Sequence, residues 1–274
     1  MKLLYCLLLS VSMHIAATAQ DAAVDTLSFF SSALQKNTKA VVVKPASYSA
    51  KQKYPVLYLL HGYAGKYSNW VTKVPSVKDY AGRYNMIVVC PDAENSWYVD
   101  EPSSGKNQYE QFVSAELVQL IDKKYSTYSD RQHRAISGLS MGGHGALTLA
   151  IRHPAVFGAA GSMSGAVDMV SLKEKNNGKP VIPADTSEAI FNWKDHSALA
   201  LADSNVIKNT AFIIDCGTGD FFIEYNRLLH KKLLDQKIPH DYIERDGAHN
   251  WVYWNTALPF QMLFFQRFFE KAGQ

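Results

Sequence analysis

Cysteine is scarce in this chain, 3 in 274 residues. That is too few for a scaffold stapled by disulfides. Cys6 lies in the apolar N-terminal stretch, which leaves only Cys90 and Cys216 for the body. Charge of one sign is also lacking: 28 Lys and Arg stand against 25 Asp and Glu, a net +3. No basic block with interleaved aromatics occurs, so the electrostatic footprint of a nucleic-acid binder is missing. There are no internal repeats, no low-complexity linkers and no Cys/His cluster at metal-ligand spacing. No metal or cofactor is therefore expected. No apolar run is long and unbroken enough to predict a stable membrane insertion.

The apolar stretch that does exist is at the N-terminus. Lys2 supplies a short positive region, "LLYCLLLSVSMHIAA" an apolar segment, and Ala17-Thr18-Ala19 a small-residue cleavage site. This order is that of an export signal over 1–19, with the protein working in a periplasm or outside the cell. Bulky Tyr5 ahead of Cys6 does not suit a lipid-attachment site. Residues 20–274 are expected to form a single domain, and the chain is long enough for a sizeable core.

Hydrophobic residues make up 47% of the chain and charged residues 19%, a globular composition. Short continuous apolar runs at 39–45, 54–62, 85–93, 134–138, 157–165, 211–217 and 240–246 predict strands buried on both faces. Helical spacing occupies 75–84, 109–125, 140–154, 221–236 and 255–272. Strands alternating with helices predict an α/β fold: a mostly parallel sheet with helices on both faces. Such sheets bind ligands beyond the carboxyl ends of their strands. The polar segment 166–200 leaves the sheet after a strand and is expected to form a small cap.

One strand end is unusual. Gly138-Leu139-Ser140-Met141-Gly142 reads G-x-S-x-G, with the strand "RAIS" before it and the helix "MGGHGALTLA" after it. This is the context of a nucleophile elbow, which holds a serine in strained backbone geometry at the top of a sheet. Side chains two positions either side of Ser140 would clash, hence Gly138 and Gly142. The helix N-terminus adds N–H groups and partial positive charge.

A nucleophilic serine needs a base, and in this arrangement the chain order is Ser, acid, His. His249, in "DGAHNW" after the last strand, is the candidate. His61, His144, His153, His230 and His240 sit in helices, at the wrong strand end or in another motif. For the acid, "FIIDCGTGDFF" offers Asp220 in the loop beyond the strand, ahead of Asp215, Glu224 and Asp246. Asp220 could instead cap the following helix, and one carboxylate is not expected to serve both roles in full. Two N–H groups would complete an oxyanion hole. Met141 follows the nucleophile, and Tyr63 follows the strand-ending His61-Gly62.

With these residues in place, the chain resembles the α/β-hydrolase esterases, a group that includes esterase D, S-formylglutathione hydrolases, feruloyl and tributyrin esterases, and mycolyltransferases. The resemblance rests on "HGYAG", "GLSMGGHGA" and "GAHNW" and spans most of residues 20–274. It implies Ser140, Asp220 and His249 as a triad, with a backbone oxyanion hole from Tyr63 and Met141. S-formylglutathione hydrolases have a Cys in the loop after the early H-G; here "HGYAGKYSNW" has none. The fold implied by the resemblance also separates Cys90 from Cys216 by intervening strands, so both are expected as free thiols.

Tyr63, Trp70, Trp97, Tyr98, Trp251 and Trp254 crowd the loops expected at the active face. Trp70, Trp97 and Trp251 are candidate substrate contacts, although Trp70 reads equally well as core. Export, a cap and aromatic loops together suggest an ester hydrolase acting on acetyl or feruloyl esters of carbohydrate. The alternatives are an acyltransferase with the same triad, an S-formylglutathione hydrolase-like thioesterase, and a non-catalytic binding protein. The expected partner is a small-molecule or oligosaccharide ester.

Overall fold

The computed structural model describes residues 22–101, 105–171, 193–203, 206–207 and 209–272. The expected leader, 1–19, and the centre of the expected cap, 172–192, lie outside these residues.

The apolar runs become strands: β2 Lys36–Lys44, β3 Val56–Leu60, β4 Ile87–Pro91, β5 Arg134–Leu139, β6 Ala159–Met163, β7 Ala211–Gly217 and β8 His240–Arg245. An additional strand, β1 Ala23–Ser31, precedes them. The sheet order is β1-β2-β4-β3-β5-β6-β7-β8. β1 and β2 run antiparallel to their neighbours, and every pairing from β4 to β8 is parallel. β1 carries no continuous apolar run because it is a solvated edge. Its exposure varies along the strand, and Phe30 lies in water while Leu27 is buried.

Helices α1 Asn69–Lys73 and α2 Val77–Arg83 come first. The expected helix over 109–125 forms in three pieces. α3 Tyr109–Gln111 passes through a π-helical turn, Phe112–Glu116, into α4 Leu117–Lys124. Then come α5 Met141–Arg152, α6 Ala198–Leu201, α7 Ile223–Asp235 and α8 Trp251–Ala272. α8 starts earlier than its periodicity suggests because Asn250 Oδ1 accepts the Tyr253 N–H at 3.1 Å, capping the first turn.

Side chains alternate across the sheet, as a period of two requires. Val56, Tyr58, Leu60, Ile136 and Ile214 join one core with α4, α5 and α7. Leu57, Leu59, Val88, Ala135 and Ile213 join another with α1, α2 and α8. The helices therefore do cover both faces, and residues 139–141, 217–220 and 246–250 emerge at one end of the parallel strands. The described ends of the segment after β6 meet at Val167. Val167 O accepts both the Leu199 N–H at 2.9 Å and the Ser197 hydroxyl at 3.1 Å.

Cys90 and Cys216 are buried free thiols on β4 and β7, with β3, β5 and β6 between those strands. Among the described residues, no helix is long and apolar enough to cross a membrane.

Candidate active site

Between β5 and α5 the chain turns through Ser140 with φ 55° and ψ −118°. A non-glycine residue with positive φ stores strain, and the surroundings must hold it. Here they do: the Ser140 N–H donates to Met163 O at 2.9 Å, and its carbonyl accepts the His144 N–H at 3.0 Å. The flanking glycines are demanded by close approach. A Cβ on Gly142 would lie 2.6 Å from the carbonyl oxygens of Leu60 and His61, and one on Gly138 2.5 Å from the Gly142 carbonyl. Gly142 is thus required by contact with the end of β3 as well as by the turn.

Ser140, Asp220 and His249 come together from three separate loops. His249 Nε2 lies 2.9 Å from Ser140 Oγ. His249 Nδ1 lies 2.9 Å from Asp220 Oδ2 and 3.1 Å from Oδ1. Asp220 is buried, and its Oδ1 also accepts the Phe222 N–H at 2.8 Å. Each of the two roles read for Asp220 is therefore held in part. Oδ2 takes the shorter bond to the imidazole while Oδ1 binds the backbone ahead of α7. The loops of the acid and the base are also joined directly. Thr218 N–H donates to Arg245 O at 2.9 Å and Gly219 N–H to Gly247 O at 2.8 Å.

The rival residues are occupied elsewhere. Asp215 is fully buried and bonded to Arg245 and Tyr253. Glu224 pairs with Arg227 at the surface, and Asp246 is exposed. His153 is bonded to Glu110, and His230 to His240. His144 is wholly buried, and that burial pushes its imidazole down to about 3.

Met141 is the first residue of α5, so its N–H has no partner within the helix. The loop carrying Tyr63 approaches Ser140 closely: a Cβ on Gly62 would sit 3.3 Å from Ser140 Cβ. His61 braces this loop. Its Nε2 accepts the Ala93 N–H at 2.9 Å, so the proton lies on Nδ1, which donates to Gly62 O at 2.8 Å. Burial lowers the basicity of His61, outweighing its bond to Gly62 and the nearby Asp92. Ala64 N–H donates to Asn95 Oδ1 at 2.7 Å and Gly65 N–H to Gly62 O at 3.0 Å. Among the described residues, no protein acceptor is bonded to the Tyr63 or Met141 N–H.

The aromatic residues divide in an unexpected way. Trp97 packs near Tyr63 and His144, but only 3% of it is exposed. Trp70 does not line the cleft and is corrected to a core residue. It is fully buried, and its Nε1–H donates to Leu60 O at 3.0 Å. Trp251 is half-buried, edge-on to Trp70 and to Trp254. Trp254 in turn rests edge-on against His249. The aromatic that sequence reasoning passed over is Phe221. Its ring centroid is 4.3 Å from that of His249, and it is 67% exposed. The available signal was its place directly after Asp220.

A strand-to-helix elbow and a Ser–His–Asp constellation at the end of an eight-stranded sheet of this order define an α/β-hydrolase. The Esterase family model, described as "Putative esterase", matches residues 31–265, and the chain belongs to that family. It is similar to an acetyl esterase of Caldicellulosiruptor saccharolyticus, 29% identical over 255 residues, which are 86% of this chain and 95% of that protein. A solved ferulic acid esterase is similar with TM-score 0.79 and 31% identity, covering 91% of this chain and 98% of that one. An S-formylglutathione hydrolase of Mus musculus is 25% identical over 239 residues, 78% of this chain and 82% of that protein. The protein is a carboxylic ester hydrolase.

Proposed function

We propose that this esterase is exported and cleaves acetyl or feruloyl esters of carbohydrates through an acyl-enzyme on Ser140. The observation that carries the mechanism is the continuous chain of bonds from Ser140 Oγ to His249 to Asp220, 2.9 Å at each step. His249 Nε2 accepts the Ser140 proton as Oγ attacks the ester carbonyl. Asp220 holds the Nδ1–H tautomer and stabilises the imidazolium that forms. The Tyr63 and Met141 N–H groups bind the oxyanion, a contribution of about 3–4 kcal/mol each. His249 returns the proton to the leaving alcohol. Water, deprotonated by the same imidazole, then releases the acid and restores Ser140.

The substrate class is supported by the similarity to an acetyl esterase and to a ferulic acid esterase, and by the exposed aromatics Tyr63 and Phe221 beside the triad. Export is supported by the leader pattern of 1–19.

The test is hydrolysis of p-nitrophenyl acetate, p-nitrophenyl butyrate, methyl ferulate and an acetylated xylo-oligosaccharide by the wild type and by Ser140→Ala. We expect Ser140→Ala to lose at least about 10⁴-fold in kcat and the acetyl or feruloyl substrates to be preferred. Equal rates for the two proteins would overturn the assignment of Ser140.

A further inference from the structure

The strand that leads to Asp220 carries a second acid, Asp215, whose side chain is fully buried. Its two oxygens bind the two ends of the segment that bears His249. Oδ2 accepts Arg245 Nη2 at 2.7 Å, at the end of β8. Oδ1 accepts the Tyr253 hydroxyl, in the first turn of α8. His249 lies between these anchors. Arg245 is fixed further by its Nη1–H bond to Thr256 O at 3.1 Å and by the Phe260 ring, 4.0 Å from its guanidinium carbon.

Tyr253 acts within the segment as well. Gly247 has φ 144°, and a Cβ there would strike the Tyr253 ring. The place of that ring therefore sets the place of Gly247, two residues before His249. Gly247 O in turn accepts the Gly219 N–H next to Asp220. Trp254, adjacent to Tyr253, lies against the imidazole. An apolar cluster would bury the same area without taking a carboxylate out of water. The carboxylate adds two directed acceptors, one for each end of the loop.

We propose that Asp215, acting through Arg245 and Tyr253, is the positioning residue that sets His249 against Asp220 and Ser140. This rests on the reading of His249 as the catalytic base.

Tyr253→Phe removes only the hydroxyl and keeps the ring on Gly247. Two measurements compare it with the wild type: kcat and KM on p-nitrophenyl acetate, and the proton NMR signal of the His249 Nδ1–H. The expected result is a kcat lowered by roughly 10- to 100-fold, with KM within about twofold, and an Nδ1–H signal broadened or moved upfield. The harsher Asp215→Asn should lose more, because it leaves Arg245 facing a neutral partner. Should Tyr253→Phe not fold, Arg245→Lys, which keeps the charge but loses the fork, is measured in the same way. A folded variant with wild-type kcat and an unmoved Nδ1–H signal overturns the proposal. So does a loss of kcat that fluorophosphonate titration traces entirely to fewer active sites. A wild type inert on every ester would refute the functional reading, while the NMR comparison would still decide the positioning role.

Discussion

Trp70 illustrates how a residue's type and its environment can point in different directions. An indole ten residues beyond the end of a central strand suggests a sugar or phenol platform, yet this one, in α1, is buried with its N–H bonded to the Leu60 carbonyl. Trp70→Phe should therefore lower stability by about 1–3 kcal/mol, since it strands that carbonyl and leaves a void. The shift should appear in the urea midpoint, with KM for the preferred ester unchanged. A raised KM at unchanged stability would return Trp70 to the binding surface. Phe221 is the opposite case, an apolar ring left in water against the His249 imidazole. Sequence identifies residue types, but a ring's exposure depends on the three loops that meet around it.

At the level of elements, the contact between α5 and the end of β3 limits the tolerance of the elbow. Gly142→Ala would place a methyl group 2.6 Å from two backbone oxygens that cannot rotate away. We expect a stability loss of about 1–3 kcal/mol or more in urea unfolding, together with a large loss of hydrolysis as the first turn of α5 shifts. Wild-type activity and midpoint would show that the strand end yields more easily than its hydrogen bonds suggest. This glycine was legible in the sequence because steric demand at an elbow is local. The inner parallel strands β3 to β7 were legible for a related reason, since burial on both faces produces apolar runs, whereas the parallel edge strand β8, expected to be buried on both faces, is only half-buried. β1 was hidden because a solvated edge produces none, and the π-helical turn at 112–116 leaves the apolar spacing of its helix almost undisturbed. The role of Asp215 was hidden as well. A buried tether and a catalytic acid are the same letter, and only the partners Arg245 and Tyr253, 30 and 38 residues away, distinguish them.

For the whole molecule, two histidines held neutral in the fold contribute to the loss of stability in acid. Burial holds His144 down to about 3 and His196 down to about 4, against an ordinary 6.5. Between the ordinary value and these lowered ones, the unfolded chain binds protons that the folded chain does not. Stability therefore rises with pH across that window and falls as acid is added. The dependence of unfolding free energy on pH between about 4.5 and 6 should correspond to an uptake of about two protons from this pair. His144→Gln should reduce it by about one, measured by urea titrations at several pH values. An unchanged slope would remove His144 from the account.

Ser140 and His249 stand 109 positions apart, and the loop bearing His249 is anchored at its far side by the first turn of the last helix. Strand pairing through β8 and the seating of α8 must both precede the first turnover. A chain in which either is incomplete keeps Ser140 and His249 apart. Juxtaposition of the two side chains thus reports that the sheet is complete to its last strand and closed by its last helix.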